Sequence, residues 1–328
     1  MNKYIFFLLF LLFPFNIYAY SDTSHSSIVM DIDSGRILYK NNIDNKMLIA
    51  STTKIMTAII SIEKGKLNRK VVVGKEVLKM YGTNIYVEIG EKIKIKDLIY
   101  GLLLRSGNDA SVVLAKAVSG NEKNFVDLMN KKANKLGMKN TIFRNPHGLD
   151  ENTQNYSTAR DMAILSRYAY KTKFYKIVTA TKKYQISTGK KTYLWYNKNK
   201  LLFNYKYCTG GKNGYTPKAG KTLVTTASNN NLNLTIVSLD DNNSYENHKN
   251  LYNYIFNKYK NYKIISKGKL TNNSNLYIKK SFYYPLTKYE INNIKTIVSI
   301  DKNISNEAGK INIYLNKSKI GSIPIYKK

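Results

Sequence analysis

The stretch Ala50-Ser51-Thr52-Thr53-Lys54-Ile55-Met56-Thr57 places a serine three residues before a lysine, at the start of an apolar run. This run predicts a buried helix from Ser51 to about Glu63. Residues three apart share a helical face, so the Ser51 hydroxyl and the Lys54 amine can meet. The positive end of the helix dipole would also favour a nucleophile that carries negative charge for a moment. A helix-capping serine with a solvated lysine one turn on is the simpler alternative.

The length and the composition limit the class of protein. With 328 residues, 43% of them hydrophobic, the chain can form one large domain and a small one. The formal net charge of +32 suggests an anionic neighbour, such as nucleic acid, a membrane surface or an acidic wall polymer. Lysine, asparagine and tyrosine are spread along the whole chain, which also fits compositional drift. Because the sequence has no clustered basic helix and no nucleic-acid motif, we expect no nucleic-acid partner.

The first residues predict the compartment. A short positive start, Met1-Asn2-Lys3, precedes an apolar stretch over residues 4–15 and a cleavage site at Ile17-Tyr18-Ala19. The apolar stretch is too short for a comfortable membrane span, which needs about 20 residues. We therefore expect a signal peptide over residues 1–19 and a secreted mature chain. The single Cys208 cannot form an internal disulfide.

The pattern along the chain predicts a mixed α and β protein. A hairpin over residues 27–39 precedes the Ser51 helix, and β-like stretches follow at 71–73 and 84–87. Four helices come next and, after residue 192, strands. The predicted later elements are helices at 96–104, 110–118, 125–136 and 159–169, a strand pair at 223–227 and 232–239, and a final helix at 248–258. From about Ile264 the chain reads as a separate β-rich module.

Two further triplets stand out. Ser106-Gly107-Asn108 lies in the break between two predicted helices, so a hydroxyl and an amide are presented from a loop held at both ends. Lys212-Asn213-Gly214 lies in a glycine-rich segment before the last hairpin, where another backbone can approach closely. Each triplet is common by itself. Their order after Ser51 and Lys54 is what points to one site.

The set Ser-x-x-Lys, Ser-x-Asn and Lys-Thr-Gly is typical of penicillin-binding proteins and class A β-lactamases. The longer neighbourhoods resemble the low-molecular-mass penicillin-binding proteins, which are serine-type D-alanyl-D-alanine carboxypeptidases. The resemblance covers residues 27–262 and continues more faintly beyond. Its motifs are residues 50–57, residues 97–110, Asn145-Pro146-His147-Gly148-Leu149, Tyr156-Ser157-Thr158-Ala159 and residues 211–216.

This resemblance implies an α/β (α+β) fold of the β-lactamase/transpeptidase type, in which an antiparallel sheet packs against a helical lobe. The sheet would combine strands from both ends of a catalytic domain over residues 20–262. A small β-rich C-terminal domain would follow over residues 263–328. The site would lie in the cleft between the sheet and the helical lobe.

The resemblance also implies the catalytic roles. Ser51 would attack the carbonyl of the penultimate D-alanine of a peptidoglycan stem pentapeptide and form an acyl-enzyme. Lys54 would accept the Ser51 proton, with its pKa lowered by burial and by the charge of Lys212. Ser106 would pass a proton to the leaving amine.

The resemblance likewise implies how substrate would bind. Asn108 would bond the substrate backbone, and Lys212, with Asn213 and Gly214 beside it, would bind the terminal carboxylate. The backbone N–H groups of Ser51 and Tyr215 would form the oxyanion hole. β-Lactam antibiotics would acylate the same serine. We expect no cofactor and no metal, because the chain has 3 His and one Cys, and we interpret His147 as structural.

Two positions depart from the family pattern. Asn213 stands where the family usually has threonine, and losing one hydrogen bond to a charged group costs about 1.5–3 kcal/mol. Ser244 lies near a position where some members carry an arginine. Because of these departures, an alternative function remains: the chain could be a wall-binding or penicillin-binding protein whose catalysis is weakened. A β-lactamase is a further alternative, although the loop over residues 145–149 has no glutamate to activate water.

The sequence predicts little contact with membrane. Residues 323–328 are too short and too interrupted by Pro324 to form an amphipathic surface helix. We therefore expect peripheral or no membrane contact. The expected location is extracytoplasmic, at the cell wall or the outer membrane surface of a Gram-positive-like bacterium.

Overall fold

The structure of the chain is a computed structural model that describes residues 22–270, 273–300 and 307–327, and the side chains of all of these except 273 and 274. The predicted signal peptide and its cleavage site lie outside the described residues. The strands are, in chain order, β1 (Ser26–Asp31), β2 (Ile37–Asn41), β3 (Met47–Leu48), β4 (Lys70–Val72), β5 (Lys92–Lys94), β6 (Tyr156–Ser157), β7 (Lys183–Ser187), β8 (Thr192–Tyr196), β9 (Cys208–Thr216), β10 (Gly220–Asn229), β11 (Leu232–Leu239), β12 (Lys260–Ile265), β13 (Gly268–Leu270), β14 (Asn273–Ile278), β15 (Phe282–Leu286), β16 (Ile294–Ile300), β17 (Glu307–Leu315) and β18 (Ser318–Lys327).

The helices in the described ranges are α1 (Lys54–Lys64), α2 (Ile95–Tyr100), α3 (Asn108–Ser119), α4 (Glu122–Leu136), α5 (Ala159–Lys171), α6 (Lys173–Ala180), α7 (Leu201–Asn204) and α8 (Ser244–Lys258). Short 3₁₀ turns occupy Ala50–Thr53, Lys75–Lys79 and Ile291–Asn293, and a π-helical turn, Gly101–Arg105, continues α2. None of these helices is long and apolar enough to cross a bilayer.

The central sheet has the strand order β2-β1-β11-β10-β9 and is antiparallel throughout. It therefore combines early strands with late ones, as the family resemblance implies. Successive residues of a strand point to opposite faces. Val237 accordingly packs into the core under α1, while Ile236 packs with Leu251 and Ile255 of α8 on the other face. Strand β9 lies at the edge of the sheet.

Helix α1 is the centre of the helical lobe, and its residues from Lys54 to Ser61 are all buried. Helices α2 to α6 pack around it. The chain differs here from the sequence prediction, because the α-helix begins at Lys54 and not at Ser51. Ser51 lies in the 3₁₀ turn that leads into α1.

The predicted strand at residues 84–87 is wrong. These residues form no strand, because the backbone N–H groups of Ile85, Tyr86 and Val87 donate to the carboxylate of Asp109. A side chain has taken the place of a neighbouring strand as the acceptor. Helices α6 and α7 were not predicted.

The C-terminal region is β-rich, as predicted, with a sheet in the order β13-β14-β18-β17-β16 and a separate pair β12-β15. Arg36, the residue before β2, contacts this region. Its guanidinium is 2.5 Å from a carboxylate oxygen of Glu290 and 2.5 Å from the carbonyl oxygen of Pro285. It also lies over the rings of Tyr259 and Tyr284. The α/β fold with a helical lobe and a β-rich C-terminal region is thus confirmed.

Candidate active site

Lys54 occupies the centre of the cleft and is fully buried. Its Nζ lies 2.9 Å from Oγ of Ser51, 2.7 Å from Oδ1 of Asn108 and 2.5 Å from the carbonyl oxygen of His147. A neutral amine has two N–H groups and one lone pair. Asn108 and His147 offer acceptors for the two N–H groups, which leaves the lone pair for the Ser51 proton.

The surroundings of Lys54 favour this neutral form. Burial lowers its pKa well below the usual range, and the nearby charge of Lys212 lowers it further, while Asp109 acts in the opposite direction. The sequence analysis expected burial and Lys212 as causes, and the charge of Lys198 adds a third, smaller one that it did not foresee. Burial, followed by the charge of Lys198, also lowers the pKa of Lys212, to about 7.

Ser106 and Asn108 lie at the break after the π-helical turn. Ser106 has a left-handed backbone, with φ of 69°, and is 6% exposed. In the described residues no hydrogen bond joins its hydroxyl to Ser51 or Lys54. The Nδ2 of Asn108 donates to the carbonyl oxygen of Tyr81 at 2.7 Å, and its backbone N–H donates to Thr83. The segment around Tyr81 therefore fixes the orientation of the Asn108 amide.

Asp109 is a supporting residue that sequence reasoning missed, because an acid in the first turn of a helix is common. Its carboxylate is 3% exposed and accepts from the backbone N–H groups of Ile85 at 2.9 Å and Tyr86 at 2.7 Å. These bonds hold the irregular segment that carries the Tyr81 carbonyl. No local signal in the sequence could have shown that contact.

Strand β9 forms the opposite wall of the cleft. Lys212 is 1% exposed, and its Nζ donates to the backbone oxygen of Asn213 at 2.5 Å, with Oδ1 of Asn213 at 3.4 Å. A Cβ placed on Gly214 would lie 2.8 Å from the backbone nitrogen of Ser51. The strand thus touches the turn that carries Ser51, and only glycine permits this approach. The Tyr215 side chain is 64% exposed.

The loop over residues 145–150 packs against the turn that carries Ser51. The Oδ1 of Asn145 accepts from the N–H of Gly148 at 2.7 Å. Gly148 has φ of +88°, and a Cβ there would lie 2.0 Å from the carbonyl oxygen of Ala50. Asp150 accepts from the hydroxyl of Thr216 at 2.5 Å, which joins this loop to the end of β9. Sequence reasoning did not single out Asp150.

His147 supplies its backbone oxygen to Lys54, and its side chain points elsewhere. Burial, and after it the charge of Lys54, lowers its pKa to about 3, so the ring is neutral. Its Nδ1 accepts from the N–H of Leu149 at 3.1 Å. Within the described ranges no group of His, Cys, Asp and Glu residues could hold a metal ion. Ser244 begins α8 and donates its N–H to Asp241, outside the hydrogen bonds around Lys54.

Sequence comparisons identify relatives. A family profile described as D-alanyl-D-alanine carboxypeptidase matches residues 17–243. The chain is 38% identical over 214 residues to the D-alanyl-D-alanine carboxypeptidase DacF of Bacillus subtilis, covering 63% of this chain and 54% of the relative. It is 34% identical over 229 residues to DacA of Escherichia coli K12, covering 64% and 54%. The chain thus spans about half the length of these curated relatives.

Solved structures agree with the sequence relatives. Penicillin binding protein 5 from Haemophilus influenzae superimposes with a TM-score of 0.78 at 27% identity, covering 94% of this chain and 97% of its own. A D-alanyl-D-alanine carboxypeptidase from Mycobacterium tuberculosis gives 0.69 at 29% identity, covering 72% and 92%. With the profile matching well over half of its length, this chain belongs to the D-alanyl-D-alanine carboxypeptidase family.

Proposed function

We propose that this protein is a serine-type carboxypeptidase that removes the terminal D-alanine from peptidoglycan stem pentapeptides. The observation that carries the proposal is the contact of 2.9 Å between the buried Lys54 amine and the Ser51 hydroxyl. A buried amine with a lowered pKa can act as a base near neutral pH. The family of the chain supports the choice of substrate.

Acylation begins when Ser51 Oγ transfers its proton to Lys54 and attacks the carbonyl carbon of the penultimate D-alanine. The electron pair of the C=O bond moves onto oxygen, which accepts from the N–H groups of Ser51 and Tyr215. The approach of Gly214 to the Ser51 nitrogen supports this pair of donors. Collapse of the intermediate breaks the C–N bond, and Ser106 gives its hydroxyl proton to the departing amine and regains one from the Lys54 ammonium, which becomes neutral again. Water then hydrolyses the ester.

Lys212 is the proposed partner of the terminal carboxylate. Its pKa of about 7 means that the ammonium form is only partly populated in the empty cleft near neutral pH. An incoming carboxylate favours the protonated form, since opposite charges attract in a buried site. Binding would therefore be coupled to the uptake of a proton at Lys212. Asn213 lies beside it and would donate through its amide, and Asn108 would bond the substrate backbone.

The alternative, a penicillin-binding protein with little turnover, is favoured by one observation. The Asn213 side chain directs an oxygen, not a donor, towards Lys212 at 3.4 Å. A carboxylate in this place needs a donor from residue 213. The amide must then turn over when substrate binds, which would weaken the site without preventing acylation.

The proposed location follows from the start of the chain and its charge. We propose that a signal peptide over residues 1–19 directs secretion and that the mature protein is held electrostatically at the wall or the outer membrane surface of a Gram-positive-like cell. The net charge of +32 supports this attachment. Release by high salt would agree with it, whereas a requirement for detergent would contradict it.

The proposed division into a catalytic domain (residues 20–262) and a C-terminal domain (263–328) has its own support. The solved relative from Mycobacterium tuberculosis covers 72% of this chain with nearly all of its own length. Penicillin binding protein 5 covers 94% of this chain, so its match extends into the C-terminal region as well. If the division is right, Arg36→Met should separate thermal unfolding into two calorimetric transitions, because the variant loses the Glu290 ion pair. A single transition in Arg36→Met would contradict the division.

Mass spectrometry after incubation with penicillin tests the function. We expect one covalent adduct on Ser51, none in Ser51→Ala, and none in Lys54→Arg, because a guanidinium stays protonated at any working pH. An adduct that persists in Ser51→Ala, or that never forms, would overturn the enzyme assignment. Release of D-alanine from a D-Ala-D-Ala peptide then distinguishes an active carboxypeptidase from a penicillin-binding protein with little turnover. Acylation without measurable release would favour the low-turnover alternative.

A further inference from the structure

A groove of about 520 Å³ lies on the helical lobe, between the two-stranded ribbons β4–β5 and β7–β8. Lys70, Lys92, Lys94 and Lys96 line it, together with the turn over residues 187–189. None of these residues takes part in the hydrogen bonds around Ser51 and Lys54. We propose that this groove binds an anionic polymer that carries repeated phosphodiester groups.

The first support is the placement of the lysines on one face of the β4–β5 ribbon. Lys70 lies directly opposite Lys94, and Lys92 is two residues before Lys94 on the same strand. Like charges directly opposite each other destabilise a strand pair. Among the described residues none of these lysines lies within 4.0 Å of a carboxylate. An anion bound in the groove would relieve this repulsion.

The second support is that the two nearby carboxylates accept hydrogen bonds from internal hydroxyl groups. Asp97 is 8% exposed, and its Oδ1 accepts from the hydroxyl of Tyr184 at 2.6 Å. Glu91 is fully buried and accepts from the hydroxyls of Tyr193, at 2.7 Å, and Thr188. Both oxygens of Glu91 are thus engaged by internal donors, whereas Asp97 itself lines the groove and leaves four lysines against one carboxylate. The groove therefore presents a cationic face to an external ligand.

The chemistry of the lining favours phosphodiesters. A lysine ammonium group binds phosphate as a point charge. It does not impose the planar, two-bond geometry with which arginine binds a carboxylate. Side chains two residues apart on a strand are separated by about 7 Å, which suits a polymer with one charge per short repeat. The hydroxyl of Ser187 and the backbone at Gly189 add polar groups at one end of the groove.

Hydrogen bonds link the turn between β7 and β8, beside the groove, to the residues next to Asn108. Beyond its Gly189 end, the Nζ of Lys191 donates to the carbonyl oxygen of Tyr86 at 2.9 Å. The N–H of Tyr86 in turn donates to Asp109, next to Asn108. A polymer in the groove would thus lie beside the segment that frames the catalytic cleft. Binding there would hold the enzyme on an anionic wall, whether or not the proposed peptidase activity is correct.

Titration of the full secreted chain with a poly(glycerol phosphate) of defined length tests the site. The variant replaces the four groove lysines with glutamine: Lys70→Gln, Lys92→Gln, Lys94→Gln and Lys96→Gln. The matched control makes the same charge change at exposed positions on and just after α4: Lys123→Gln, Lys131→Gln, Lys135→Gln and Lys139→Gln. We expect the groove variant to weaken binding at least tenfold and the control less than threefold.

The salt dependence of binding gives a second readout. For nucleic acids, each phosphate that a protein neutralises adds about 0.7–0.9 to the steepness of log K against log salt. Removing four lysines that bind phosphates should therefore lower this steepness by about 3, and the control by less than 1. Both variants should still be acylated by penicillin, which shows that they fold and keeps this test separate from that of the catalytic site.

Three results would overturn the proposal. Equal weakening in the groove variant and the control would show a diffuse charge effect. Groove-dependent binding to phosphatidylglycerol vesicles with no binding to the polymer would assign the groove to a lipid surface. Groove-dependent binding that is tighter for single-stranded DNA than for poly(glycerol phosphate) would assign it to nucleic acid.

Discussion

The amide oxygen of Asn108 lies 2.7 Å from Nζ of Lys54 because the amide nitrogen is held by the carbonyl of Tyr81. A carbonyl can only accept, so the nitrogen of the amide must face Tyr81 and the oxygen must face Lys54. The lysine amine is thereby oriented by a fixed acceptor. Its lone pair is left facing Ser51, which is the arrangement a general base needs.

This relationship predicts the effect of Asn108→Asp. A carboxylate beside Lys54 raises the pKa of the lysine, so the neutral base forms only at higher pH. The rise of the acylation rate with pH should move to higher pH, and the rate at pH 7 should fall by at least about tenfold. The measurement is the rate constant for penicillin acylation from pH 5 to 10. Asn108→Ala is the control, in which the rate falls without a move to higher pH; the same move in both variants would contradict this role.

Gly148 is expected to be intolerant of alanine. A Cβ would lie 2.0 Å from the carbonyl oxygen of Ala50 and 3.0 Å from the backbone nitrogen of Ser51, so the nucleophile turn must shift. A misplacement of about 1 Å at a reacting group can cost roughly 100-fold in rate. Penicillin acylation of Gly148→Ala should therefore fall by about that factor.

Gly137→Ala is the matched control for this substitution. Gly137 also has a positive φ, of +78°, but in the described part of the chain a Cβ there would meet no atom within 4 Å. Its alanine variant should lose about 1 kcal/mol of stability and keep its acylation rate. Equal rates in the two variants would show that the contact with Ala50 is not important for the position of Ser51.

Lys212 is expected to lower stability at neutral pH. Its pKa in the folded protein is about 7, against 10.5 for the unfolded chain, so between these values unfolding takes up a proton. The free energy of unfolding therefore rises with pH between about 7 and 10.5. Below pH 7 the buried amine lowers stability by its full amount. Lys212→Met removes the cost, which is at most about 4 kcal/mol at pH 7.

Chemical denaturation at pH 7 and pH 10 tests this expectation. Lys212→Met should be more stable than the parent at pH 7, and the difference should shrink at pH 10, while D-alanine release is lost. Lys139→Met, at an exposed position, should stay within about 0.5 kcal/mol of the parent at both pH values. A Lys212→Met variant less stable than its parent at pH 7 would show that packing around the amine outweighs its burial cost.

The parts of the fold that follow from local pattern were predictable from the sequence. The two strands around Asn230, with Val224 opposite Val237, read directly as an antiparallel pair. The contact between Ser51 and Lys54 depends only on a separation of three residues in a helical turn, and it was predicted even though the α-helix starts later. The confirmed sheet, with β9 at its edge, was implied by the resemblance to the low-molecular-mass penicillin-binding proteins and not by local pattern.

The remaining features depend on contacts between distant segments. Asp109 draws the N–H groups of residues 85–87 away from a strand, and this needs a loop path that no local pattern specifies. The close approach of Gly148 to Ala50 is also invisible in a sequence, since many glycines occupy open turns. The opposed pair of Lys70 and Lys94 depends on the register of two strands that are separated by residues 73–91 of the chain.

Asn213 stands where the family usually has threonine. We expect Asn213→Thr to raise the rate at which the protein releases D-alanine. Threonine is short and β-branched, so its rotamer is nearly fixed and its hydroxyl can donate across the cleft. The asparagine amide directs its oxygen to Lys212 at 3.4 Å and must turn over before it can donate to a carboxylate. Steady-state release of D-alanine should rise several-fold in Asn213→Thr, with a ceiling of about 100-fold set by one hydrogen bond to a charged group.

Asn213→Val is the matched control for this substitution, because valine has the shape of threonine without the hydroxyl. Its turnover should be lower than that of the parent, while penicillin acylation, which reports a folded cleft, persists. If Asn213→Val matched Asn213→Thr, shape and not donation would explain the gain. If Asn213→Thr released D-alanine no faster than the parent, the amide would already donate to the substrate when it binds, and the cleft would be adapted to asparagine.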